Sequence, residues 1–482
     1  MSEPCDLFAV DARRLIGAKK LSPVELLESC LARIAATNPV LNAMVALDEA
    51  RAMKTAHAAE AAVMAGDELG LLHGLPVAIK DLEPTAGLRT TWGSPLFRDH
   101  VPEADAAHVA DIRAAGGIVI GKTNVPEWGA GGNTTNAVYG TTGNPFDPAL
   151  TCGGSSGGAA VALAVGQVPL ATGSDYGGSL RTPSAFCGVV GFRPSAGLVP
   201  GVDRAAALMP WGVLGPMGRS LADAHLLLLA ELRTDRRDPF SSEDGFAIPE
   251  HLAPADLGSL RVAITADFGE APVDRAIRNV FLKKMKRLAP ALHAIEERTP
   301  DCAGVHEIFD VFRALAHLGQ HGEKVAKSRD LVGPNIIENV AWAARFTFED
   351  AARAFIEQAK LQRRFNRFFD DFDVLIAPAA SVAPFDKRQL FVEKINGKKM
   401  PNYMRWLAVS YAPTMAMAAA VSLPAGRDEK GLPFGIQLIG PQGSDARLLA
   451  IAAAFEAALE SDAETARPIP DLAKLGGGKR VR

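Results

Sequence analysis

The sequence predicts an α/β domain built on a parallel-containing sheet, and three observations carry that reading. Two apolar runs of strand length, at 75–79 and 117–120, flank a helical stretch over 106–115. Strand, helix, strand at this spacing builds a parallel sheet with covering helices. Of the 482 residues, 48% are hydrophobic and 22% charged, which is ordinary globular usage with material for a large core.

The elements follow in order. Ser22, Pro23 and Glu25 form a capping box with proline at the first helical position, and Leu26, Leu27, Cys30, Leu31 and Ile34 recur at helical spacing behind it. Alanine-rich sequence over 49–64 continues in the same style, so the first fifty residues read as helical. Leu75-Pro76-Val77-Ala78-Ile79 is a short buried-strand pattern that ends on a charge, Lys80. Over 151–197 glycine becomes dense, with small polar residues between. Ser220 with Asp223 starts a helix, and 233–259, broken by Pro239, Pro249 and Pro254, reads as a surface excursion. Strands are expected at 260–264, 373–376 and 434–439. Ser444 caps a last helix with Leu448, Ile451, Ala452, Phe455 and Leu459 on one face, and the tail over 476–480 reads as mobile.

Composition excludes several classes of function. With 51 basic and 55 acidic side chains the formal charge is −4, so the chain is no polycation built to hold nucleic acid. Five scattered cysteines (Cys5, Cys30, Cys152, Cys187 and Cys302) lack CxxC pairing. That argues against a disulfide framework or a structural zinc and fits a reducing compartment. No basic segment followed by an apolar run opens the sequence, and the apolar stretch over 414–425 is too short to span a bilayer. A cytoplasmic protein with no membrane or nucleic-acid partner is expected.

Four short patterns fail on context. Gly116 to Thr123 fits the phosphate-loop expression, but its middle is a strand and Pro126 follows too soon for a helix. Val77-Ala78-Ile79-Lys80 and Asp267-Phe268-Gly269 mimic kinase motifs without the glycine loop or catalytic loop a kinase needs. Gly153-Gly154-Ser155-Ser156-Gly157 fits a nucleophile elbow, yet Asn144-Pro145-Phe146-Asp147-Pro148 before it cannot be an interior strand. His317 and His321 sit one helical turn apart, but the turn lacks a glutamate and a third ligand. They read as a partly exposed helical face, and no metal or cofactor is expected.

Three segments remain: Lys80 at a strand end, Gly153-Gly154-Ser155-Ser156-Gly157-Gly158, and Asp175-Tyr176-Gly177-Gly178-Ser179-Leu180-Arg181. The block CGGSSGGAAVALAVGQVPLATGSDYGGSLRTPSAFCGVVGFRP, from Cys152 to Pro194, resembles the defining block of the amidase signature family. Gly121-Lys122-Thr123-Asn124, Gly215-Pro216-Met217-Gly218-Arg219-Ser220 and Gly431-Leu432-Pro433-Phe434-Gly435-Ile436-Gln437 extend the likeness. The resemblance implies a mixed, mostly parallel central sheet of about eleven strands with helices on both faces. It also implies a single domain over 1–482, a signature core over 75–225, and a variable, mostly helical region over 233–372 beside the substrate cleft.

The resemblance further implies a triad: Ser179 as nucleophile, Ser155 as bridge on a cis peptide, and Lys80 as base. The physical demands agree. A serine hydroxyl needs a base to take its proton, no histidine lies near either serine motif, and lysine serves only when neutral. Burial against Val77-Ala78-Ile79 is the expected cause of a lowered lysine pKa. The tetrahedral oxyanion needs preorganised donors, and the N–H groups of Tyr176, Gly177, Gly178 and Ser179 are expected to supply them. Asp175 and Arg181 are expected to hold this loop by pairing, and Ser156 to join the network or pack the loop. Gly129, Ala130 and Gly131 match a family position lining the acyl cleft. Trp342, Phe346, Tyr403 and Trp406 read as core packing or as caps of the cleft.

The expected activity is hydrolysis of a linear amide, an aryl amide or carbamate and also an ester, by a monomer or homodimer acting on small molecules. The alternative is the catalytic component of a tRNA-dependent amidotransferase complex. Such components carry a Ser-Ser-Leu-Asp-Gln-like stretch where this chain has Leu208-Met209-Pro210-Trp211-Gly212-Val213-Leu214-Gly215-Pro216.

Overall fold

The computed structural model describes residues 3–242 and 247–476. At its centre lies one eleven-stranded sheet. Its strands are β1 (Met44–Leu47), β2 (Pro76–Lys80), β3 (Ile118–Thr123), β4 (Leu170–Asp175), β5 (Val190–Arg193), β6 (Val213–Gly218), β7 (Arg261–Ile264), β8 (Ala294–Glu297), β9 (Val374–Pro378), β10 (Ala419–Arg427) and β11 (Pro433–Gly440). Across the sheet the order is β1-β3-β2-β4-β6-β5-β10-β11-β9-β7-β8.

The sheet is mixed, as the resemblance implies. β2 runs parallel to β3 and β4, and β7 runs parallel to β8 and β9. Antiparallel pairs join these two blocks through β6, β5, β10 and β11, so parallel pairing is concentrated in two places. β2, β3, β9 and β11 are buried along their whole length, which is why they read as continuous apolar runs instead of alternating ones.

Local chemistry explains the elements around the sheet. The Ser22 capping box forms: Val24 N–H donates to Ser22 Oγ at 2.9 Å and Ser22 N–H donates to Glu25 Oε2 at 3.1 Å, opening a helix over Pro23–Leu41. The expected crossover is a helix over Ala107–Ala114, followed by β3. β3 absorbs the Gly-Lys-Thr of the phosphate-loop pattern into a buried strand. The variable region holds helices over Arg275–Leu288, Val305–Ser328, Pro334–Ala343 and Phe348–Arg367, and also contributes β7 and β8.

Two expectations are corrected. The first fifty residues are not all helical, because Met44–Leu47 forms β1 antiparallel to β3. Ser444 does not cap the last helix with its side chain; its hydroxyl donates to the Pro441 carbonyl at 2.7 Å instead. Pro424 lies within β10, beyond the last residue that pairs with β5 and just before a register shift in the pairing with β11. All five cysteines are free and buried. Among the described residues no helix is long and apolar enough to cross a membrane. Residues 477–480 of the tail lie outside the described residues.

Candidate active site

β2 and β4 lie side by side, and the site forms where their carboxyl ends meet the two glycine loops. The backbone N–H of Lys80 donates to Thr172 Oγ1 at 3.0 Å, which fixes the end of β2 against β4. Two residues further along β4, on the same face, Ser174 Oγ accepts from Lys80 Nζ at 3.0 Å. Asp81 points elsewhere: its carboxylate accepts from the Thr91 N–H and, at 2.6 Å, from the Thr91 hydroxyl. Lys80 is therefore not paired with its neighbouring acid.

The Lys80 amine sits in a shell of hydroxyls. Ser155 Oγ lies 2.9 Å from Nζ and Ser156 Oγ 2.8 Å, with the Ser174 carbonyl at 3.3 Å. The side chain has no exposed surface. Burial pushes its pKa down to about 7, against the opposing fields of Glu83 and Asp175. The Gly154–Ser155 peptide is cis. Ser156 N–H donates to the Ser179 carbonyl at 3.3 Å, which ties the two serine loops together.

The second loop is built around Asp175. Its carboxylate accepts from Gly178 N–H at 2.9 Å, Leu180 N–H at 3.0 Å, and the Arg181 guanidinium at 2.9 and 3.1 Å. Burial pushes this carboxyl up, but Arg181 and Arg193 outweigh burial and hold it well below the usual carboxylate range. Arg181 also donates to the Ser410 carbonyl, Gln437 Oε1 and Thr414 Oγ1, all within 2.9 Å. A rigid ion pair thus presents Ser179 between β4 and the helix over Arg181–Cys187.

One expectation about the oxyanion donors needs correction. The Gly178 N–H is committed to Asp175, and only one hydrogen is available to give. Among the described residues the N–H groups of Tyr176, Gly177 and Ser179 carry no such commitment. Gly178 is glycine for another reason: its φ is +111°, and a Cβ there would lie 2.5 Å from Ser410 Cβ.

Ser155, Ser174, Tyr176 and Ser179 line a cavity of about 460 Å³. Gly129 lines it too, and a Cβ on Gly129 would come within 3.3 Å of Ser155 Oγ. Ala130 and Gly131 do not belong to the wall. Ala130 packs with Val325, Val332 and Ile336, while a Cβ on Gly131 would meet Asn335 Nδ2 at 3.1 Å. None of the four aromatics Trp342, Phe346, Tyr403 and Trp406 reaches the wall either. Trp406 and Tyr403 are buried, Tyr403 receiving hydrogen bonds from Arg313 and Asn339, and Trp342 carries Arg345 over its ring at 3.9 Å.

The aromatic wall comes instead from Trp92 and Trp128. Trp92 stacks on His100 at 5.2 Å, and Trp128 stacks on His321 at 4.6 Å. His321 is buried rather than partly exposed, held there by that stacking. Among the described residues no group of His, Cys, Asp or Glu is placed to hold a metal. Sequence reasoning missed Trp92, Trp128, Thr172, Ser174 and Glu83. Thr172 and Ser174 left a signal: two hydroxyls at i and i+2 on a strand share a face.

Residues 25–449 match the family described as Amidase. The chain is 34% identical over 461 residues to an acylamidase of Rhodococcus erythropolis, covering 94% of this chain and 95% of that one. It is 32% identical to a glutamyl-tRNA(Gln) amidotransferase component of Acidothermus cellulolyticus, covering 95% of each. Its fold is similar to a solved bacterial aryl acylamidase of the amidase signature family. There the TM-score is 0.87 at 28% identity, over 94% of this chain and 96% of that one.

Proposed function

The chain belongs to the amidase signature family, and on that premise we propose that it hydrolyses the C–N bond of linear amides. Aryl amides and carbamates are the intended class, with esters accepted by the same chemistry. Ser179 Oγ attacks the carbonyl as Ser155 takes its proton and passes its own to the neutral Lys80 amine. The N–H groups of Tyr176, Gly177 and Ser179 receive the developing oxyanion. The proton returns through Ser155 to the leaving nitrogen, and water repeats the relay to release the acid.

The observation that carries this reading is the buried Lys80 amine, 2.9 Å from Ser155 and with its pKa lowered to about 7. A base poised near the working pH is most effective in proton transfer. The cavity supports an aryl or alkyl substrate, since Trp92 and Trp128 give it apolar surface. The substrate is a small molecule, and the protein acts as a monomer or homodimer in the cytoplasm, without cofactor.

The alternative, a component of an amidotransferase complex, draws on the relative from Acidothermus cellulolyticus. The apolar sequence over 208–216, in place of a polar recognition stretch, weighs against it. One experiment separates them. The purified lone chain is offered anilides, carbamates and primary amides, beside Ser179→Ala. Turnover of anilides or carbamates that Ser179→Ala abolishes supports the proposal. A lone chain that stays inert until partner proteins are supplied supports the alternative.

A further inference from the structure

The cavity wall carries an unpaired carboxyl group, Glu83, which burial pushes up to about 7 against the opposing fields of Lys122 and Lys80. Glu83 follows Lys80 by three residues, and its N–H donates to the Lys80 carbonyl at 3.1 Å. This turn brings the Glu83 side chain to the cavity, where its carboxylate makes no hydrogen bond or ion pair among the described residues. Asp203 lines the same cavity, exposed and likewise unpaired among those residues, close enough to act on Glu83.

The positive groups around them are already engaged. Arg204 lines the wall, but Asp238 holds its guanidinium at 3.0 and 3.3 Å. Lys122 Nζ on β3 donates to the backbone carbonyl of Glu83 and to Thr85 Oγ1; it makes no ion pair with the Glu83 carboxylate, although its field and that of Lys80 act on it, and Asp81 draws on the same ammonium. His108, almost fully buried in the wall, has a pKa lowered to about 3 by burial and Lys122, so it is neutral. Its Nε2 has no hydrogen-bond partner. Behind Glu83, Glu231 is buried with both oxygens unpartnered and its pKa pushed far up by burial, so it adds no charge. Asp175 is paired with Arg181 and Arg193.

We propose that Glu83, assisted by Asp203, is a specificity-determining residue that selects amide substrates carrying a positively charged group. The inference rests on the amide-hydrolase reading of the same cavity. It has a mechanistic consequence. The ionised Glu83 raises the pKa of Lys80, so a substrate cation held at Glu83 offsets that field and favours the neutral base. Binding the cation and activating the relay are then coupled.

The test uses two anilides whose acyl chains end in a trimethylammonium or in its neutral isostere, tert-butyl. Their kcat/KM values are compared for wild type, Glu83→Gln and Asp203→Asn above about pH 8, past the value of about 7 to which burial raises Glu83. Wild type is expected to prefer the cation by roughly tenfold or more at low salt. The preference falls toward one in Glu83→Gln and partway in Asp203→Asn, and the acid limb of kcat lies at lower pH for the cationic substrate. A wild-type ratio at or below one overturns the inference, as does a ratio kept in both variants. If Glu83→Gln fails to fold, the wild-type ratio and Asp203→Asn still decide. Turnover of the tert-butyl anilide with no preference sinks this inference alone, whereas turnover of neither sinks the amide reading along with it.

Discussion

Replacing Lys80 by Met should stabilise the protein while it slows turnover. The wild-type amine has no exposed surface, and burial lowers its pKa from 10.5 to about 7. An unfolded lysine stays protonated up to 10.5, whereas the folded one has lost its proton above about 7. Between those limits the unfolded chain binds more protons, so wild-type stability rises with pH across this window. Below it the fold bears the whole cost of the buried group, about 5 kcal/mol for a fall of this size. Met has no proton to bind, so Lys80→Met gains most over wild type below pH 7 and loses that gain as pH approaches 10.5. Thermal unfolding of both proteins from about pH 6 to about pH 10 reads the difference directly. A stability difference that stays flat across the range would refute the claim that Lys80 is buried and neutral. Loss of the base should lower kcat by about 10²–10⁴-fold above the Lys80 value of about 7, and by less below it, where the wild-type amine is itself protonated.

Three further changes probe the rest of the site. Gly129→Ala places a Cβ 3.0 Å from Leu82 Cδ1 and 3.3 Å from Ser155 Oγ at a φ of +71°, and should cut kcat by roughly tenfold or more, read in steady-state kinetics. Ser174→Ala removes an acceptor 3.0 Å from Lys80 Nζ; kcat should fall about tenfold with KM nearly unchanged, because the amine is held less firmly. Arg181→Leu leaves the Asp175 carboxylate buried with half its pairing, and denaturant unfolding should show a loss of about 3–5 kcal/mol.

The candidate catalytic residues are legible in the sequence because they lie in motifs that carry a family resemblance. The resemblance to the amidase signature family picks out Lys80, Ser155 and Ser179 by motif position, and the structure brings Lys80 Nζ within 2.9 Å of Ser155 Oγ. Asp175 and Arg181 are legible as a pair because opposite charges six residues apart frame the second loop. What fails depends on tertiary context. The four residues of β1 carry no pattern that separates a strand from the helices beside them, and only pairing with β3 makes them one. Gly178 reads as an oxyanion donor because a glycine pair looks like an open turn, yet the Asp175 carboxylate captures its N–H. Ala130 and Gly131 adjoin Gly129 in sequence, but the chain turns there and only Gly129 faces the cavity. Trp92 and Trp128 stand far apart in sequence and converge only once the sheet has formed. Their stacking on His100 and His321 cannot be read from spacing.

The most direct measurement is the rate at which a fluorophosphonate probe labels the protein as pH is varied, with the modified residue located by mass spectrometry. A neutral Lys80 base requires a single adduct on Ser179, a labelling rate that rises through a midpoint near the Lys80 value of about 7, and no such rise in Lys80→Met. An adduct on Ser155 instead, or a rate indifferent both to pH and to the loss of Lys80, would contradict it.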